Sequence, residues 1–187
     1  MLSLIVLAAV IAALFVFWKP FPPDTTPAGA YMRIAKNVVD ERPEREFAYL
    51  ETEAQWACYT IRDMRKNAEA RIQRSYPVEE REKALSPIRA EAHAGDGSDV
   101  YAIYSARGGF HNRLRRDLSG VASVEIVGDR ATVETARGTR YPFRRRENGI
   151  WGITLFTAEL LVAAERATRD LAMVNAAADD YDRSKSR

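Results

Sequence analysis

At Val121 the spacing of apolar residues changes from near 3.6 to 2, and this change constrains the fold more than any other feature of the chain. "SVEIV" alternates and turns at Gly128-Asp129, "RATVETA" alternates and turns at "RGT", and "YPFRRRE" alternates loosely before Asn148-Gly149 and "IWGITLF". Asn-Gly is the strongest of these turn signals, because both residues accept the positive φ of a type I′ hairpin turn. Four short strands joined by tight turns predict an antiparallel meander over residues 121–156. Pro142 resists that picture. It has no N–H for a ladder bond, and the third of four sequential strands is internal, so pairing should start at Phe143 or a bulge should sit there.

Upstream the pattern is helical. Tyr31, Ile34, Ala35 and Val38 place a short helix over Ala30 to Val39, and Pro43 suits the first turn of the next. From there Phe47, Leu50, Ala54, Ala57, Ile61, Met64, Ala68 and Ile72 recur at three- and four-residue spacing, broadened by Trp56 and Tyr59. This predicts one helix of about eight turns ending before Pro77, with Arg62, Arg65, Lys66, Glu69 and Arg71 on its wet side. "VEEREKAL" is helix-compatible, "AHAGDGSD" is a loop by composition, and "DVYAIYSA" offers a helical turn or two. Phe110, Leu114 and Leu118 mark a short amphipathic helix that Gly120 ends.

After the strands, Thr157 can cap a helix running to about Asp182, in which Leu160, Ala164, Ala167, Leu171, Val174, Ala178 and Tyr181 keep an unbroken 4-3-4-3 spacing. A seam so rich in alanine admits a close neighbour: the chain's own sheet or long helix, or a partner's helix. Residues 157–182 are therefore a candidate surface for a protein partner or for self-association.

The N-terminus carries a different signal. Leu2 to Trp18, "LSLIVLAAVIAALFVFW", holds no charge and spans about 25 Å as a helix, close to a hydrocarbon core of about 30 Å. Phe15, Phe17, Trp18 and Lys19 gather at its end as an interfacial belt would. A cleaved signal peptide is the bland alternative, but neither a basic n-region nor a small-residue cleavage site is present. The expected arrangement is α+β: a transmembrane anchor (1–18), a Pro-rich spacer (19–29) lifting the domain off the bilayer, a helical region (30–120), the meander (121–156), and a C-terminal helix and tail (157–187). Residues 30–187 would make one domain.

Composition excludes several classes of chemistry. Net charge is only +2, so no global field favours nucleic acid, and no RNP-like or helix-turn-helix signature is present. The single cysteine, Cys58, cannot form an internal disulfide, a C-x-x-C motif or a cysteine-built zinc site. Neither a P-loop, a G-x-G-x-x-G nor a G-x-S-x-G elbow occurs, so no cofactor is implied. Glu91, His93, Asp96 and Asp99 could gather around a cation, yet their spacing fits no known metal loop, and a polar Gly-rich loop explains them more cheaply. The metal expectation is therefore none. His111 would need a cleft to act as a general base. Cys58 reads as a small core hydrophobe.

The strongest candidate surface is basic. Ten arginines lie between Arg107 and Arg146 against four acids. Alternation puts Arg140, Arg144 and Arg146 on one face of the third strand, with Tyr141, Phe143 and Arg145 on the other. Two readings compete: an anionic-ligand surface, and a solvated outer face whose charges pair with acidic helices.

"VASVEIVGDRATVET" and "YPFRRRENGIWGIT" resemble the hairpins of small NTF2-like (cystatin-like) domains found on bacterial lipoproteins and membrane-anchored proteins. The resemblance covers about half the chain and implies helices wrapped by a curved sheet. It departs in a longer helical region and in the helix that follows the last strand. The family includes non-catalytic domains as well as isomerases and cyclases, but none of their catalytic positions matches here, so catalytic residues stay unassigned. The function expected is a membrane-anchored, non-catalytic binding or scaffolding domain of the cell envelope. The alternative is a cone-pocket isomerase, cyclase or hydrolase. Lys19, Arg33 and Lys36 behind the apolar run favour a cytoplasmic domain by charge, whereas the anchored relatives face outwards; the resemblance tips the expectation to the extracytoplasmic side.

Overall fold

The computed structural model describes residues 21–186; the apolar run over residues 2–18 lies outside them. Among the described residues no helix is long and apolar enough to cross a membrane. Eight helices and four strands follow in order: α1 (Pro27–Val39), α2 (Pro43–Glu46), a 3₁₀ turn (Phe47–Tyr49), α3 (Thr52–Ser75), α4 (Val78–Leu85), α5 (Arg89–Ala92), α6 (Gly97–Gly108), α7 (Phe110–Asp117), β1 (Val121–Val127), β2 (Arg130–Thr135), β3 (Arg140–Arg145), β4 (Trp151–Ile153) and α8 (Thr157–Lys185). The class is α+β, as the change of period predicts.

The proline-rich stretch is not a free spacer from Phe21 onward. Pro27 occupies the first position of α1, where an N–H would lack a helical partner anyway, and the Thr26 hydroxyl accepts from Gly29 N at 3.1 Å. Arg33 Nη1 donates to the Pro22 carbonyl at 2.6 Å, and the Trp151 indole donates to the Thr25 carbonyl at 3.1 Å. Gly29 lies so close to Pro23 that a Cβ would overlap its carbonyl. Extended, donor-poor residues thus leave carbonyls that the domain's own side chains satisfy.

The expected eight-turn helix is interrupted at Leu50. There ψ swings to 154° and the residue forms a parallel bridge with Ile153, while Glu51 N donates to the Ile153 carbonyl at 3.2 Å. The interruption covers the outer edge of β4, which would otherwise present unpaired backbone groups. Gly152 makes the approach possible, since a Cβ there would stand 2.6 Å from the Leu50 and Glu51 backbone. Trp56, placed on the apolar face by spacing, is mostly exposed, and Thr157 does not cap α8 but donates its hydroxyl to Glu51.

The strands pair β1-β2-β3-β4, all antiparallel. Pairing runs straight through Pro142, opposite Thr132. The Pro142 carbonyl accepts from Thr154 N at 3.0 Å, so its missing N–H faces one residue past the end of β4. Nothing in the ladder is lost there, because the chain is already turning into α8. The irregularity in register falls in β1, between Val121 and Ser123.

One core lies between the sheet's inner face and the helices. Val133, Tyr141, Phe143, Trp151 and Ile153 meet Ile34, Val38, Leu50, Ile61, Tyr101 and Leu160. Phe110 and Phe156 stack with centroids 4.2 Å apart. A second, smaller cluster of Ala68, Ile72, Tyr76, Ile88 and Ala178 holds the far halves of α3 and α8 together. Glu51 meets Thr157, Arg65 meets Asp170 and Arg71 meets Asp179, so the two long helices run parallel. The alanine-rich seam of α8 is packed on the chain's own α3. Its outward face carries Leu161, Val162 and Met173 exposed.

Candidate functional site

Arg140 and Arg144 alternate with buried Tyr141 and Phe143 in β3, while Arg146 lies past the strand's end, and the charge of all three is largely used within the domain. Arg144 meets Glu53 at 3.0 Å and Asp129 at 3.3 Å, Arg140 meets Glu125 at 3.5 Å, and Arg146 donates to the Ala48 carbonyl and the Gln55 side chain at 2.9 and 2.8 Å. Arg144 and Arg146 border a hollow of about 270 Å³ together with Glu53, Glu147 and Trp56, where acids stand beside the bases.

The four residues considered for a cation are dispersed. Asp96 accepts from Ser98 N at 2.7 Å and caps α6, Asp99 accepts from Gly95 N at 2.9 Å, and His93 Nε2 lies 2.9 Å from Glu69. Glu91 is turned into the protein. Among the described residues no three His, Cys, Asp or Glu side chains are arranged to hold a metal ion. Cys58 is fully buried, and burial pushes its thiol up to about 12.

His111 belongs to a small polar cluster. Its Nδ1 lies 2.9 Å from Glu46 Oε1, and the Tyr101 hydroxyl donates to Glu46 Oε2 at 2.9 Å. Burial raises the Glu46 carboxyl above its ordinary value, against the opposing pull of His111 and Tyr101. Neither of the two large clefts described below touches this cluster.

A larger concavity that also gathers charge lies between α3, α5, α6 and α8. A cleft of about 740 Å³ has an apolar floor of Ala68, Tyr76, Ile88 and Val174 and a polar end of Arg65, Glu91, Tyr104, Arg107, Arg166 and Asp170. Arg65 Nε meets Glu91 Oε2 at 3.0 Å and its Nη1 meets Asp170 at 2.6 Å, with only 6% of the arginine side chain and 3% of the glutamate exposed. Arg107, half exposed, closes on the other Glu91 oxygen at 2.6 Å. Burial, followed by the Glu91 charge, pushes the Tyr104 hydroxyl up to about 12. Arg166 is exposed with no carboxylate in ion-pair reach among the described residues. Three guanidinium groups thus face two carboxylates, which leaves one positive charge at the mouth.

This site is absent from the sequence expectations because Arg65 is assigned there to the wet side. A signal for it existed. Ala54, Cys58, Ile61, Ala68, Ile72 and Ser75 keep heptad spacing in α3, and position 65, not Met64, completes the series. An arginine at such a position demands buried acids, and Glu91 and Asp170 supply them.

The fold and the cleft define a class: an α+β domain in which a four-stranded meander is braced by a parallel pair of long helices, with an amphipathic cleft along that pair. Compared with known proteins, the chain matches no family model, no curated protein and no solved structure.

Proposed function

We propose that the chain is a membrane-anchored, non-catalytic binding domain of the cell envelope, held through residues 2–18, that receives a partner protein's segment in the cleft along α3 and α8. The observation that carries the binding reading is the cleft itself. Its apolar floor, its exposed Met173 and the unpaired Arg166 suit an apolar segment bearing an acidic side chain. An anionic partner for Arg140, Arg144 and Arg146 would have to displace Glu125, Glu53 and Asp129, so the cleft is favoured over the stripe. The outward face of α8 then serves as the partner-facing part of residues 157–182. Anchoring rests on the uncharged run and its aromatic end, and the extracytoplasmic side on the hairpin resemblance to NTF2-like domains.

A photoreactive amino acid in place of Met173 tests the binding reading in native membranes. A discrete protein adduct is expected that weakens several-fold with Arg107→Glu and Arg166→Glu. Equal adducts from position 175, which is exposed on another side of α8 and does not line the cleft, or adducts indifferent to charge reversal, would refute it. Labelling of Asn175→Cys by an impermeant maleimide in intact cells reads the side directly.

The second reading, a cone-pocket enzyme, draws on Glu46, His111 and Tyr101. Glu46 is 1% exposed and the sheet's inner face is filled with aromatic side chains, which favours a structural role for the cluster.

A further inference from the structure

The second large concavity opens where the described chain begins. A groove of about 740 Å³ between α1 and the α7–β1 connection is lined by Phe21, Met32, Ala35, Val39, Leu118 and Val121, with Phe21 48% and Val39 72% exposed. Phe21 is not loosely attached. The residues after it are bound to the domain through Arg33, Trp151 and the close contact at Gly29. Only Lys19 and Pro20 separate Phe21 from Trp18, the end of the apolar run. Three residue steps reach at most about 11 Å. A headgroup layer is about 5–8 Å deep on each side of the hydrocarbon, so if the run is embedded even a fully extended connection leaves Phe21 within about 3–6 Å of the headgroups.

Charge on the rim fits the same neighbour. Lys36 and Asp40, which line the groove, pair with each other at 2.5 Å. Arg137 donates from its backbone N to the Ser119 hydroxyl at 3.2 Å and from its side chain to the Arg116 carbonyl at 2.7 Å, which holds the Arg137 side chain on the segment that leads into the groove wall at Leu118–Gly120. Both arginines are exposed, and among the described residues neither has a carboxylate in ion-pair reach. Exposed apolar side chains framed by unpaired cations are what an interfacial surface presents to an anionic bilayer.

We infer that the domain is seated on its own membrane. The groove of Phe21, Met32, Val39 and Leu118 takes lipid acyl chains, and Arg116 and Arg137 meet lipid phosphates. The inference rests on the anchor proposed above, and it turns the residues after Pro20 from a spacer into a docking hinge. Such seating would hold the α3–α8 cleft at a fixed orientation to the bilayer.

The full chain, reconstituted in vesicles of phosphatidylcholine and phosphatidylglycerol with a nitroxide lipid labelled near the headgroup, provides the test. Val39→Cys and, separately, Asn175→Cys carry an environment-sensitive fluorophore; Cys58 is buried and stays unlabelled. Quenching several-fold stronger at position 39 than at 175 is expected, and reduced by Arg116→Glu with Arg137→Glu or by omitting phosphatidylglycerol. Equal, weak quenching at both positions in a chain that resists carbonate extraction would overturn the seating and leave the anchor intact. Extraction of the full chain by carbonate would overturn the anchor, and the seating with it. Both arginines are on the surface, so the double variant keeps the fold, which circular dichroism checks.

Discussion

Arg65→Met probes the least expected feature of the interior. The substitution keeps an unbranched side chain in the α3–α8 seam while removing the cation that Glu91 and Asp170 share. Asp170 is about one-third exposed and can turn to water, but Glu91 cannot, being 3% exposed. Loss of one partner of a buried pair costs about 3–5 kcal/mol, because the other charge is left uncompensated. Arg107 remains on Glu91 at 2.6 Å, which places the expected loss at the lower end, about 3 kcal/mol. For a domain of this size each kcal/mol moves Tm by about 2–4 °C, so a fall of about 6–12 °C is expected in thermal unfolding followed by circular dichroism. Arg107→Ala should cost under about 1 kcal/mol, since that side chain is half exposed. Arg65→Met with Glu91→Met should return to within about 1 kcal/mol of the parent, because no buried charge then lacks a partner. A single substitution costing less than about 1 kcal/mol, or a double variant no more stable than the single, would refute the reasoning.

Three further outcomes follow from the same physics. Burial raises the Glu46 carboxyl, so the fold disfavours its ionised form; below the unfolded value both states are protonated and nothing is lost, whereas above the folded value the full penalty applies. The stability of the parent relative to Glu46→Gln should therefore rise as pH falls from neutral towards 4.5 in urea titrations, and a difference flat with pH would sink the idea. Gly152→Ala would drive a methyl to 2.6 Å from the Glu51 backbone and should lower stability by about 2–3 kcal/mol, read from the denaturant midpoint. Cys58, with its thiol pushed up to about 12, should react with a disulfide reagent only on unfolding; rapid reaction of the native chain would contradict its burial.

The parts of this fold that were legible in the sequence are those fixed by local periodicity. Turns at Gly128, Gly138 and Gly149 all have positive φ, although Asn148 does not and the last turn is therefore not type I′. β2, and β3 as far as Arg144, alternate as expected, whereas β1 is exposed on both faces beyond Val121 and β4 is buried throughout. What was not legible depends on partners distant in the chain. Helical spacing runs through Leu50 without a break, and only the need to cover the edge of β4, a hundred residues later, pulls that residue out of the helix. Pro142 looks misplaced until β4 is known to end at Ile153. Arg65 looks solvated until Glu91 is seen to be folded inward. In each case a polar or backbone group is satisfied by something its own neighbours in sequence cannot reveal.

The two concavities differ in a way that bears on how the chain would work. The groove at Phe21 gathers apolar side chains, with unpaired Arg116 and Arg137 next to its Leu118–Gly120 wall, whereas the cleft along α3 and α8 is built around a buried, fully paired arginine. A surface meant for fluid lipid needs no fixed polar geometry, because headgroups rearrange to meet the cations. A cleft meant for one protein segment needs its polar groups held in place before the partner arrives, and Arg65, clamped between Glu91 and Asp170, holds them. The parallel pairing of α3 and α8 links the two, since both helices start at the meander and the cleft lies along their length. Reshaping of the cleft would require sliding α8 along α3. The ion pairs of Arg65 with Asp170 and of Arg71 with Asp179 and Asp182 oppose that, so the domain should present its cleft to a partner as one rigid body.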